Sequence, residues 1–184
     1  MIYLRVEPLK IINLIRHPNL LISQEASRVL ASVSFDSEFS GSLISNAVVK
    51  ELLGVVGSEE GTAPLLGMSA LVILHNCSRR KEQASALVSK LGLMEVCSRA
   101  LFRVESGLEK YMALKIICNL SLNSEGRVVG EEVLEHCMSV VRASVQEDRR
   151  LEELSCGMCA VALKVLIKGV VVQNPALTED HVDE

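Results

Sequence analysis

Tryptophan is absent from this chain, and only two tyrosines and three phenylalanines accompany its aliphatic residues. A core made without large rings must be built from Leu, Val, Ile, Ala, Met and Cys, which suits closely stacked helices. No sign of charge dominates: 19 basic residues face 23 acidic ones, for a net charge of −4. Proteins that hold nucleic acid through its phosphates need a basic surface, so no nucleic-acid partner is expected. No apolar run approaches the roughly 18 residues of a spanning helix; the longest candidate, Val165 to Val172, is broken by Lys168 and Gly169. Met1 to Ile15 carries Arg5, Glu7 and Lys10, and so lacks the unbroken apolar stretch of a secretory signal. These absences predict a soluble protein of the cytoplasm, or alternatively the nucleus, with no membrane partner.

Catalytic signatures are missing as well. Gly54, Gly57 and Gly61 lack the Lys-Ser/Thr ending of a phosphate loop. His17, His75, His136 and His181 have no metalloprotease spacing, and no serine occupies a nucleophile elbow. Glu131-Glu132 and Glu152-Glu153 are adjacent on a helix, so they point apart and read as solvated acids. Arg79-Arg80-Lys81 reads as a solvated loop or helix start. The six cysteines read as small buried hydrophobes. Cys156-Gly-Met-Cys159 could share a helix face and hold zinc or a redox pair, but a closed site needs two further ligands, drawn from Cys118, Cys137 or His136, and no second CxxC exists. The expectation is no enzyme, no metal, no cofactor and no small-molecule substrate.

What the chain does have is internal repetition. An alanine followed by apolar residues three, four and seven positions on occurs four times: Ala26-Val29-Leu30-Val33, Ala70-Ile73-Leu74-Cys77, Ala113-Ile116-Ile117-Leu120 and Ala162-Val165-Leu166-Gly169. The last copy is imperfect, because Gly169 has no side chain to bury. These offsets share one face of an α-helix. The same offsets recur upstream in Pro8-Ile11-Ile12-Ile15, Val49-Leu52-Leu53-Val56, Leu93-Val96-Cys97-Ala100 and Leu134-Cys137-Met138-Val141. Short apolar pairs, Leu43-Ile44, Leu87-Val88 and Val128-Val129, precede three of these. The predicted unit is a short, a middle and a longer helix, with a period of about 40 residues that fits armadillo or HEAT units better than two-helix repeats. Breaks are expected at Pro18-Asn19, Gly57 to Pro64, Asn123-Ser124 and Gln146 to Arg150, with Asn123 or Ser124 capping the helix that follows.

The segments Ala70-Leu-Val-Ile-Leu-His-Asn-Cys-Ser78 and Ala113-Leu-Lys-Ile-Ile-Cys-Asn-Leu-Ser121 resemble the third helix of an armadillo repeat, and the resemblance covers roughly residues 5–170. It implies an all-α, right-handed α-α superhelix of about four repeats, the first without its short helix. It also implies a concave groove, lined by third helices, that binds an extended partner segment. In the family a groove Asn pairs with the ligand backbone, and Asn76 and Asn119 match it. The Trp that often stands four residues earlier is replaced by Val72 and Lys115. Arg28 and Ser32, and Lys164 and Lys168, hold the corresponding places in the outer repeats. The basic residues among these favour acidic groups in a protein or peptide partner. The alternative role for Asn76 and Asn119 is a bond to the adjacent repeat's backbone.

The expected organisation is therefore a repeat array over 1–172 and an acidic, disordered tail over 173–184. Its expected function is a protein-interaction module or scaffold. The competing reading is a substrate-recognition armadillo subunit or fragment of a larger complex such as a ubiquitin ligase, since Asn119-Leu-Ser-Leu-Asn123 is similar to the armadillo regions of plant-type U-box ligases. Uncapped terminal repeats would leave Ile11, Ile12, Val165 and Val170 to Val172 partly uncovered, which predicts a fragment of a longer array or an end-to-end oligomer.

Overall fold

A computed structural model describes residues 8–15, 17–45, 48–57, 64–103, 106–123, 129–146 and 153–173. Among these the regular structure is entirely α-helical: α1 (Pro8–Ile15), α2 (Leu20–Val33), α3 (Ser37–Ser45), α4 (Val48–Gly57), α5 (Pro64–Ser78), α6 (Lys81–Leu91), α7 (Leu93–Arg103), α8 (Gly107–Asn123), α9 (Glu131–Gln146) and α10 (Glu153–Gln173). Short, middle and long helices follow one another as α3-α4-α5 and again as α6-α7-α8. Val129 is buried but non-helical ahead of α9, and Val128 lies outside the described residues, as do residues 174–184 of the expected tail.

Local chemistry sets the boundaries. Asn19 caps α2, its Oδ1 accepting from the Leu21 N–H at 3.0 Å. The Asp36 carboxylate accepts from the N–H groups of Glu38 and Phe39 at 3.0 and 2.9 Å, opening α3. Such caps satisfy donors that no turn of helix can. Between α6 and α7 the chain turns at Gly92, whose φ of 61° is a left-handed conformation that a side chain would disfavour. Asn123 does not cap the next helix. It ends α8, and its Nδ2 donates to the Ser78 and Arg79 carbonyls at 3.3 and 3.4 Å. Those carbonyls lie at the end of α5, where the helix leaves acceptors unused.

The long helices pack in series, α2 on α5, α5 on α8 and α8 on α10. Each also packs on its middle helix, in the pairs α1–α2, α4–α5, α7–α8 and α9–α10. Middle helices meet as α1–α4 and α4–α7, and short ones as α3–α6. The recurrent alanines Ala26, Ala70, Ala113 and Ala162 are all buried, as expected for small residues where helices approach closely. Leu30, Leu74 and Ile117, one turn further on, are fully buried, each contributing about 1.5–3 kcal/mol of transfer free energy. Gly169 is not a flaw in the last copy. A Cβ there would lie 2.8 Å from Leu134 Cδ2, so the Leu134 side chain of α9 fills the space that a side chain on α10 would need.

Two expectations about uncovered residues are corrected. Ile11 and Val165 are buried. Val165 stands three residues after the alanine, on the side of α10 that shares burial with α8, so it cannot belong to an open end. The side chains of Ile12 and Val170 to Val172 lie outside the described residues.

Candidate functional site

A helix packed on three sides keeps one stripe open. In α8 every residue from Met112 to Ser121 is buried except Lys115 and Asn119, which are half-buried. In α5 the stretch Ala70 to Ser78 is buried except for Val72 and His75. Val72 and Lys115 share the second position after the repeat alanine. Arg28 and Lys164 hold that position in α2 and α10, and both are exposed, as is Ser32 six places after Ala26. Seven of the eight residues expected to face a partner are thus described, and all but Asn76 reach solvent. The Lys168 side chain lies outside the described residues.

Asn76 is only 5% exposed, and its Nδ2 donates to the Ser34 hydroxyl at 2.8 Å. Asn119 repeats the geometry one unit on, donating to Ser78 Oγ at 3.0 Å. The two serines are equivalent, each eight residues after a repeat alanine. Each hydroxyl in turn donates three residues back, to the Ala31 and His75 carbonyls at 2.7 and 2.8 Å. The amide donors therefore tie one long helix to the end of the preceding one, through a serine side chain rather than through backbone. Asn119 Nδ2 also lies 3.1 Å from His75 Nδ1. An amide N–H can only donate, so that ring nitrogen accepts and the imidazole is neutral.

Charge gathers around this point. His75 is pushed down to about 4, first by burial and then by Lys115 and Arg79. Lys115 Nζ sits 5.3 Å from the centroid of the Tyr111 ring, one turn earlier on the same stripe. Gly157 of α10 leaves room for that ring: a Cβ there would stand 3.1 Å from the Tyr111 phenolic oxygen. Lys164 acts on Cys118 from α10. Arg28 stands apart, held by Glu25 at 3.0 Å on its own helix. At the junction of α5 and α6, Phe35, Ser40, Asn76, Arg79 and Arg80 line a basin of about 300 Å³. Arg80 occupies the N-cap of α6 without a side-chain capping bond, and both arginines are exposed, as expected for a helix start. No carboxylate among the described residues pairs with Arg79, Arg80, Lys115 or Lys164.

The cysteines serve the interior. Cys77 donates to the Ser40 carbonyl at 3.9 Å, and burial pushes its thiol up to about 12. Cys97 is fully buried and raised for the same reason. Cys137 is pushed up to about 11 by burial and by neighbouring Cys118. The described residues contain no cluster of three His, Cys, Asp or Glu able to hold a metal. Cys159 is half-buried, and the Cys156 side chain lies outside the described residues.

Comparison with protein-family models gives no match, and comparison with curated proteins gives none either. Ser34 and Ser78 share a spacing from the repeat alanine that is visible in the sequence, but nothing in that spacing marks them as acceptors. The roles of Tyr111, His75 and the Phe35–Arg80 basin depend on contacts between helices distant in sequence.

Proposed function

We propose that the chain is an armadillo-like α-α superhelix that acts as a protein-interaction module, receiving an extended acidic segment of a partner along the stripe of its long helices. The observation that carries this reading is the selectivity of burial in α8, where Lys115 and Asn119 alone between Met112 and Ser121 escape the core. In α8 the stripe is open only at a cation and an amide, which suits a ligand offering carboxylates and backbone. Arg79, Arg80 and Lys164 extend the same preference along the stack. The series packing of long helices supports the repeat architecture, and the spacing of just over 40 residues supports the armadillo type.

The test uses a short, labelled, Glu-rich peptide and follows its anisotropy on titration with the full chain. Binding should weaken as salt rises, and Lys115→Glu or Arg79→Glu should each lower affinity roughly tenfold. Arg79 is exposed and half-buried Lys115 reaches solvent, so helicity by circular dichroism should be unchanged. Equal binding of a Lys-rich peptide, or indifference to both charge reversals, would remove the acidic-partner reading.

A further inference from the structure

Arg79 and Arg80 stand side by side between α5 and α6, both exposed and both lining the basin of about 300 Å³. Two guanidinium groups at one hollow repel each other, and no carboxylate among the described residues pairs with either. Asp36, Glu38 and Glu82 are the nearest acids in sequence, and none of them lines the basin. The Asp36 carboxylate caps α3 instead.

The other walls differ from those of a solvated helix start. Asn76 lines the basin although it is almost wholly buried, and its amide makes one hydrogen bond among the described residues, to Ser34. A primary amide has two N–H donors and an acceptor oxygen, so one donor and the carbonyl are left for an incoming group. Ser40, also buried, donates to Gln83 Oε1 at 3.2 Å, and its backbone carbonyl accepts from Cys77. These bonds fasten α3 to α6 and to α5, so the hollow is formed by joined helices. Phe35 completes the lining while 65% exposed, an aromatic face presented beside two cations.

We infer that this basin holds a phosphorylated serine or threonine side chain of the partner segment, with an apolar residue of that segment packed on Phe35. The inference rests on the acidic-partner reading and names the group that anchors it. Two guanidinium forks and an amide N–H suit the three terminal oxygens and nearly double charge of a phosphate better than the two oxygens and single charge of a carboxylate. The Asn76 carbonyl can accept a backbone N–H of the same segment. A nucleic acid would need a basic track, and here 23 acidic residues outnumber 19 basic ones. Membrane surfaces are held by clusters of roughly four to eight basic residues, and this cluster ends at Arg79-Arg80-Lys81.

Labelled peptides of one Glu-rich sequence, differing only at a central Ser-Leu, phosphoserine-Leu or phosphoserine-Gly, test it by anisotropy with the full chain at constant salt. The phosphoserine-Leu peptide should bind roughly ten- to a hundredfold more tightly than the Ser-Leu peptide. Arg80→Gln should remove most of that gain, whereas Lys164→Glu, on α10, should weaken both peptides alike. Phe35→Ser should weaken the phosphoserine-Leu peptide about five- to tenfold and leave the phosphoserine-Gly peptide unchanged. The Phe35 comparison decides the matter should Arg80→Gln lose helicity. Equal binding with and without the phosphate, or a gain that survives Arg79→Gln combined with Arg80→Gln, overturns the inference and leaves the acidic-partner reading standing. A phosphate gain that persists after every Glu of the peptide is replaced by Gln supports the basin while removing the wider acidic preference. Arg80-dependent sedimentation with vesicles of phosphatidylcholine and phosphatidylinositol phosphate, without any gain from phosphoserine, would assign the basin to a lipid headgroup and overturn the peptide inference.

Discussion

His75 concentrates several forces on one side chain. Burial, Lys115 and Arg79 all favour the neutral ring, and Asn119 donates to the nitrogen that a proton would occupy. The folded value of about 4 lies below the ordinary 6.5. As pH falls through that interval the unfolded chain takes up the proton first, so stability is complete above about 6.5 and declines toward 4. His136 is lowered by burial and Lys110 and adds to the same trend. Partial exposure of His75 screens the effect, leaving on the order of 2 kcal/mol. Urea unfolding at pH 7 and pH 4.5 should show this loss, and His75→Gln should flatten much of it. An unchanged slope in that variant would place the loss elsewhere. Lys115 belongs to this scale too: its placement over Tyr111 holds the ammonium at the surface beside the histidine.

Between elements, the Asn–Ser pairs are the recurring polar joints. Asn76→Ala should destabilise the fold by about 1–2 kcal/mol, the cost of a buried bond removed with one partner left behind. Asn76 and Ser34 should show positive coupling in a double-mutant cycle by thermal unfolding, with the second deletion costing less than the first. Gly169→Val should cost about 1–3 kcal/mol, because the Leu134 tip must move from beneath the new side chain. Thermal unfolding of that variant at or above the wild-type midpoint would contradict the close approach of α9 and α10. The helices themselves were legible from apolar offsets of three, four and seven, and the shared register also picked out Arg28, Ser32, Val72, Lys115, Asn119 and Lys164 as positions outside the core, whereas Asn76 proved buried. Periodicity could not show that α5 and α8 are covered on three sides, since Leu71 and Leu114 lie off the repeated pattern yet are fully buried. For the same reason it misjudged Val165, and it could not foresee Ser34 and Ser78 as acceptors 42 and 41 residues away from their amides.

For the whole molecule, the buried thiols report on global opening. Cys77 and Cys97 sit in the continuous core with their thiolates disfavoured. Alkylation of both in the native protein should proceed only as fast as the chain unfolds, whereas half-buried Cys159 should react first. Mass spectrometry of a brief alkylation pulse at pH 8 would separate them. Early labelling of Cys97 would mean that α7 detaches on its own.

The series packing of the long helices carries a corollary for gene engineering. If Leu71 and Leu114 present interchangeable seats, then excising residues 81–123 should let α10 settle on α5 in place of α8, and duplicating that block should lengthen the stack of helices without retuning either neighbour. A shortened protein that still melts in one sharp step would mean that tolerance to such splicing is written into the seams rather than into any single helix.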